Sequence, residues 1–179
     1  MNIFFLRACR KRSDLRKLAS LYHKKHQKII LEIAQMLCTA ARENLAGEDV
    51  DHLYRGSHKH HPMTLWVTAS PYNALLAARI ANALDARFRQ ERKGGKSHAS
   101  MGVVREVLKL MCKHWKRMFN ADALKRLEQQ QTATLCPVED WVLPVTPIPA
   151  CVGGPVSNPD IVQNYASYYQ SKLDAWDHK

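Results

Sequence analysis

Near the N-terminus, Lys25, Lys28, Glu32, Gln35 and Thr39 follow one another at helical spacings of three and four residues. On a helix all five point the same way. Ile29, Ile30, Ile33, Leu37 and Ala40 fall on the opposite side and read as a core face. A single carboxylate thus stands among cations on a helix that is otherwise apolar. One acid in a basic face is what chemistry on a polyanion needs, with the cations gripping phosphates and the acid moving a proton. The alternative is a solvated face with a Lys28–Glu32 pair worth about 0.2–0.5 kcal/mol.

The elements that must position these residues are helical. Asn2 to Leu6 is a short apolar stretch, a strand or an extended segment running into the core. Ser13 suits a helix N-cap with Asp14 in the first turn, and the pattern runs to about Leu45 with a weakening from Tyr22 to His26. Pro62 and Pro71 suit first-turn positions, predicting helices over 62–69 and 71–92. Ser100 is a further N-cap candidate, with Val103, Val104, Val107, Leu108, Met111 and Trp115 at core spacing. A short helix covers 121–131 and a last one follows Asp160. Six of the eight prolines fall between 137 and 159, which disfavours helix and central strand there. Trp141, Val142 and Leu143 predict that this segment packs across the body. The expectation is a mainly α, single domain over 1–179, with a helical body (1–131), a Pro-rich wrapping segment (132–159) and a C-terminal aromatic helix (160–179).

The charge balance points to a polyanionic partner. The chain has 179 residues and a formal charge of +11. Residues 1–45 carry ten basic and three acidic side chains, and residues 87–126 carry twelve and three. The stretch between them is near neutral and residues 127–179 are acidic. Two basic segments folded onto one face attract phosphate backbones, with salt-dependent binding. The first apolar run is too short for a signal-peptide core, and no stretch approaches a membrane span. Five dispersed cysteines without a C-x-x-C pair read as reduced thiols. A monomer in the cytoplasm, bound to double-stranded DNA and not to membrane, is the expectation.

Other constellations are weaker. His58, His60 and His61 lack an Asp, Glu or Cys at ligand spacing, so no metal is expected; donation to phosphates or plain solvation are the other readings. Gly95-Lys96-Ser97 imitates the end of a phosphate-binding P-loop, but position 90 is Gln and no strand precedes it. A cationic turn against a nucleic-acid backbone is the reading left for Lys96. Tyr165, Tyr168 and Tyr169 with Lys172 and Trp176 form an aromatic cluster beside a cation. Such a cluster stacks on bases and holds a phosphate; alternatively Tyr165, Tyr169 and Trp176 anchor the last helix. No hydrolase motif of the G-x-S-x-G type is present.

Taken in order, these motifs resemble a family of small viral and phage proteins. They are the opening Met-Asn-Ile-Phe, then Lys28-Ile29-Ile30-Leu31-Glu32-Ile33-Ala34-Gln35-Met36-Leu37. Tyr54, His58, His61, Pro62 and Trp66 follow in a Tyr-x-x-x-His-x-x-His-Pro-x-x-x-Trp pattern. Gly95-Lys96-Ser97-His98 and the terminal Tyr165-x-x-Tyr168-Tyr169 complete the series. The match spans most of the chain, with residues 128–159 matching poorly. More distantly, the pattern is similar to the phage pyrimidine-dimer DNA glycosylases of the endonuclease V type.

That resemblance implies a compact helical domain whose N-terminus threads into the active site. It implies attack by the N-terminal α-amine on C1′ of a damaged nucleotide, a Schiff base, assistance by Glu32, and no metal or other cofactor. Here the amine belongs to Met1, because Asn2 is large for Met removal. Met1 stands where those glycosylases present threonine, and Tyr165 where they carry tryptophan. His26 lies six residues before Glu32, against seven for their helix-start histidine. The resemblance and the charge together give catalytic candidates Met1 and Glu32. The DNA-binding candidates are Asn2, Lys25, His26, Lys28, Arg55, His58, His61, Lys96, Tyr165, Tyr168, Tyr169 and Lys172. The leading expectation is a DNA N-glycosylase, with or without lyase activity. The rivals are a non-catalytic basic protein that coats, packages or regulates viral DNA, and a metal-dependent nuclease built on the three histidines.

Overall fold

A computed structural model of the chain describes residues 2–23, 27–45, 47, 50–92, 94–130, 135–136, 141–150 and 160–177. The protein is mainly helical. Among these residues the helices are α1 (Arg12–Leu21), α2 (Ile29–Asn44), α3 (Pro62–Ala69), α4 (Pro71–Glu91), α5 (Met101–Lys113), α6 (Ala121–Gln129) and α7 (Ile161–Asp177). A single 3₁₀ turn, Trp115–Arg117, follows α5. None of the described helices is long and apolar enough to cross a membrane.

Helix α2 is the axis of the body and packs on α3, α4 and α5. Its buried set is wider than the expected stripe and includes Met36, Cys38 and Thr39 as well as the three isoleucines. Helix α3 is buried along its whole length, as its composition of Pro, Met, Leu, Trp, Val, Ala and threonines allows. Pro62 and Pro71 open α3 and α4 as expected, with the His61 and Ser70 side chains accepting from the Met63 and Tyr72 amides.

Helix α1 begins two residues earlier than an N-cap at Ser13 predicts. Ser13 is not its cap; the N-cap is Lys11, and Asp14 at the third helical position reaches back to accept from the Arg10 and Lys11 amides at 3.1 Å each. At the other end Arg87 donates to the carbonyls of Ala19, Ser20 and Tyr22, groups that a helix C-terminus leaves without intrahelical partners. Ser100 stands at the N-cap of α5, but its side chain makes no capping bond. Trp115 lies in the 3₁₀ turn and packs edge-on against Tyr72 instead of extending the α5 core face.

The segment before α1 is extended and deeply buried: Ile3, Phe4, Phe5 and Cys9 all belong to the core. It pairs with no strand, so its backbone needs side-chain partners. The Tyr22 hydroxyl supplies two, accepting from the Phe4 amide at 2.7 Å and donating to the Phe4 carbonyl at 2.8 Å.

The described part of the Pro-rich segment, 141–150, does cross the body. Val142 donates to the Cys9 carbonyl, Trp66 Nε1 to the Thr146 carbonyl, and the Tyr165 hydroxyl to the Pro149 carbonyl. Asn73, fully buried, donates to the Trp66 carbonyl and Thr146 Oγ1 and accepts from the Thr146 amide. The sequence suggested no sheet. The segment nevertheless forms a two-residue antiparallel ladder, β1 (Leu135–Cys136) against β2 (Ile148–Pro149). Pro137, Pro155 and Pro159 lie outside the described residues.

Replacing Asn73 with Ala strands three buried polar groups on α3 and on the wrapping segment. The expected loss, read from urea unfolding, is about 2–4 kcal/mol, with limited proteolysis cutting first within 141–150.

Candidate functional site

The site begins with the placement of the N-terminal segment. Because Phe4 is pinned by Tyr22, Asn2 emerges at the N-terminal end of α2, where Lys28 and Glu32 point outward. Helix α7 closes the other side. Its residues divide into two faces at four-residue spacing. Ile161, Tyr165 and Tyr169 turn inward, and Tyr168, Lys172 and Trp176 turn toward α2. The result is a cavity of about 180 Å³ lined by Asn2, Phe4, Lys28, Glu32, Tyr168, Lys172 and Trp176.

Two cations line the cavity with the single carboxylate. Lys28 Nζ stands 3.9 Å from Glu32 Oε1, and the Glu32 side chain keeps only 19% of its exposure against 67% for Lys28. Lys172 Nζ lies 5.1 Å above the Tyr168 ring, within range of a cation–π contact. Glu32 also sits in the first turn of α2, where the helix dipole favours negative charge. The cavity therefore offers a proton-transfer group, two anion-binding groups and two ring faces in one small space.

Asn2, Lys28, Glu32, Tyr168 and Lys172 are thus brought together in one cavity. Tyr165 and Tyr169 are not, which corrects their assignment as DNA contacts. Both are buried, and their hydroxyls are spent inside, on the Pro149 carbonyl and the His23 amide. They anchor α7, and Tyr168 is the one of the three that reaches the cavity. Trp176 was expected as an anchor and lines the cavity instead. Its position four residues after Lys172 was the signal that could have placed it there. Phe4, seen in the sequence only as an apolar residue, forms part of the wall. Met1, Lys25 and His26 lie outside the described residues.

The lower half of the α2 stripe is covered. Thr39 is buried, not solvent-facing, because its hydroxyl accepts from the Ser57 amide at 3.1 Å. Arg42 donates to the Leu53 and Tyr54 carbonyls, and Lys59 pairs with Glu43 at 2.5 Å. These bonds lay the 53–59 loop along α2, about 10 Å from Glu32 at roughly 1.5 Å per helical residue. Arg55 and His58 are on that loop, away from the core, and His58 adopts a left-handed φ of 49°.

Lys96 is exposed on the neighbouring turn. That turn is built on the buried Asp85, which accepts from Ser97 Oγ and the His98 amide. The Tyr54 hydroxyl donates to Ser100 Oγ and ties the loop to the turn. Arg55, His58, His61 and Lys96 do not line the cavity.

The three histidines do not converge on a shared point with an acidic partner. Among the described residues no three His, Cys, Asp or Glu side chains stand where they would hold a metal ion. His61 Nδ1 is committed as an acceptor to the Met63 amide at 3.1 Å. Burial pushes the thiol of Cys9 up to about 12 and that of Cys38 up to about 11, so neither is a nucleophile near neutral pH.

Comparison with known protein families, with curated proteins and with solved structures finds no match to this chain.

Burial, followed by the positive charges nearby, His58 included, pushes the His61 imidazole down to about 4. In the unfolded chain a histidine titrates near 6.5. Between about pH 6.5 and 4 the unfolded chain takes up a proton that the folded chain refuses, so stability falls as pH drops through that window. His61→Asn keeps a capping acceptor and removes the titration. Its urea midpoint should therefore vary less between pH 7 and 4 than that of the wild-type protein.

Proposed function

We propose that the protein acts on double-stranded DNA as a base-excision enzyme, a DNA N-glycosylase with an associated lyase step. The single observation that carries this reading is the cavity that Glu32 lines together with Lys28, Lys172 and Asn2. The resemblance assigns the nucleophile to the α-amine of Met1, which lies outside the described residues. An α-amine titrates near 8, so a useful fraction is neutral and nucleophilic at physiological pH. The more distant resemblance to the phage pyrimidine-dimer DNA glycosylases supports the same assignment.

In this mechanism the amine nitrogen bonds to C1′ as the glycosidic C–N bond breaks. The base leaves with the bonding pair and takes up a proton. The sugar ring opens at C1′–O4′, with O4′ protonated, leaving an iminium between C1′ and the chain terminus. Removal of a C2′ proton then expels the 3′ phosphate by β-elimination and nicks the strand. Glu32 is the group positioned to supply and remove these protons. Lys28 and Lys172 bind the flanking phosphates, and Trp176 offers a surface for stacking. The cavity is smaller than the roughly 300–1,000 Å³ of sites for drug-sized ligands, which suits one extruded sugar or base rather than a free cofactor.

The test is borohydride trapping on duplexes bearing a cyclobutane dimer, an abasic site or a modified pyrimidine. A covalent adduct in the N-terminal peptide is expected, together with a trapping rate about 10²–10⁴-fold lower for Glu32→Gln and none after reductive methylation of the α-amine. Undiminished processing by the Glu32→Gln protein would sink the mechanism. Salt-sensitive binding with no adduct on any duplex would leave a non-catalytic DNA-binding protein.

A further inference from the structure

On another side of the molecule, α1 and α4 pack against each other and leave an open trough between them. Two depressions of about 370 and 330 Å³ share Arg16, Ala83 and Ala86, so they form one continuous channel. Arg12 and Arg16 stand one helical turn apart on α1, and Arg79 faces them from α4. Arg87 closes the far end but is committed to the α1 carbonyls and to Glu91. Ala83 and Ala86 form the floor, and their short side chains keep the channel open. It shares no lining residue with the cavity around Glu32.

The electrostatics of this trough are unrelieved. Arg12, Arg16 and Arg79 make no ion pair or hydrogen bond with any described residue, and no carboxylate lines the channel. Burial, and then the like charge of Arg12, both weigh against the Arg79 guanidinium. A stable fold gains nothing from three converging cations without an anion; the arrangement lowers its energy when an anion enters. Guanidinium groups favour a partner that can accept two parallel hydrogen bonds, as a phosphate does. From Arg79 to Arg87 the trough runs about 12 Å at roughly 1.5 Å per helical residue. That length spans about three phosphates at the 3.4 Å rise of one DNA strand.

We infer that the α1–α4 trough is a second nucleic-acid contact, a non-catalytic groove that holds one strand of phosphodiester backbone through Arg12, Arg16 and Arg79. It shares the nucleic-acid reading of the Glu32 cavity but needs none of its chemistry. The groove holds DNA without reading its bases, because only backbone oxygens meet the arginines.

The experiment is the salt dependence of binding to a labelled, undamaged duplex, measured by anisotropy between about 50 and 200 mM salt. Every phosphate that an arginine no longer neutralises lowers the log–log slope by about 0.9. Arg12→Ala/Arg16→Ala, both at exposed positions, should lower it by about two, and adding Arg79→Ala should lower it by a third increment. Circular dichroism and the urea midpoint confirm that the variants fold.

A double variant with the wild-type slope and affinity overturns the groove. So does a wild-type protein that binds polyglutamate but no duplex, which would make the trough a dock for an acidic protein. Borohydride trapping on abasic DNA, run at saturating protein, reads the Glu32 cavity separately. Groove variants that trap normally yet keep the full slope refute the groove alone. Groove variants with a reduced slope in a protein that never traps refute the chemistry alone.

Discussion

Everything at the candidate site depends on how an extended strand is held inside a helical protein. A strand buried without a sheet leaves amides and carbonyls unpaired, and each such group costs about 1–3 kcal/mol. Here one phenol answers both groups of Phe4, because a hydroxyl can donate and accept at once. The Phe4 ring is then packed by Tyr22, Tyr165, Tyr168 and Tyr169, and the Phe5 ring by Trp66, Trp141 and Tyr165. Edge-to-face pairs of this kind add about 0.5–1.5 kcal/mol each beyond their buried area. The same rings hold α7 to the body, so the strand and the last helix are positioned by one cluster. That cluster fixes Asn2 on one side of the cavity and Tyr168 on another.

The consequence is a division of labour among the terminal tyrosines. They are adjacent or nearly so in sequence, yet α-helical geometry sends Tyr165 and Tyr169 to one face and Tyr168 to another. The first two meet Phe4 and engage backbone groups through their hydroxyls, and Tyr165 also meets Phe5. Tyr168 stacks on the same cluster and lies under Lys172 with its ring face. Helix α7 therefore couples the packing of the core to the shape of the cavity. A change at Phe4 is felt at the site although Phe4 carries no polar side-chain group there.

Helix boundaries set by local chemistry were legible in the sequence. Pro62 and the Ser70-Pro71 pair open α3 and α4 where expected, because proline at the first turn and a capping acceptor before it are local rules. The start of α1 was not legible: Ser13 is a plausible cap, but the reach of the Asp14 carboxylate back to Arg10 and Lys11 sets the helix start two residues earlier, with Lys11 at the N-cap. Along α2, the spacing gave the stripe that holds Lys28 and Glu32. It did not reveal that Thr39 is covered, because the covering loop returns from residue 57 and no periodicity encodes a loop's path. The phase of the C-terminal tyrosines was legible as a four-residue repeat. Which phase faces the core was not, since that depends on where Phe4 and Phe5 come to rest. The arginine trough was missed for a similar reason: Arg12 and Arg16 sit far from Arg79 in sequence and meet it only when α1 packs on α4.

On the proposed reading, Glu32 is the residue that separates an enzyme from a coat. A protein that only holds DNA gains from cations and loses from an acid set among them. Two like charges about 4 Å apart repel by about 1 kcal/mol in water and by about 4 kcal/mol at the effective dielectric of a protein surface. Lys28, 3.9 Å away and mostly exposed, offsets only part of this, since pairs of that kind contribute about 0.3–0.5 kcal/mol. In the fold the carboxylate contributes through its pair with Lys28 and its place in the first turn of α2. On the proposed reading its further use is proton transfer. The α1–α4 trough shows the contrast within the same molecule: its arginines converge with no acid among them, the composition expected of a surface that only binds.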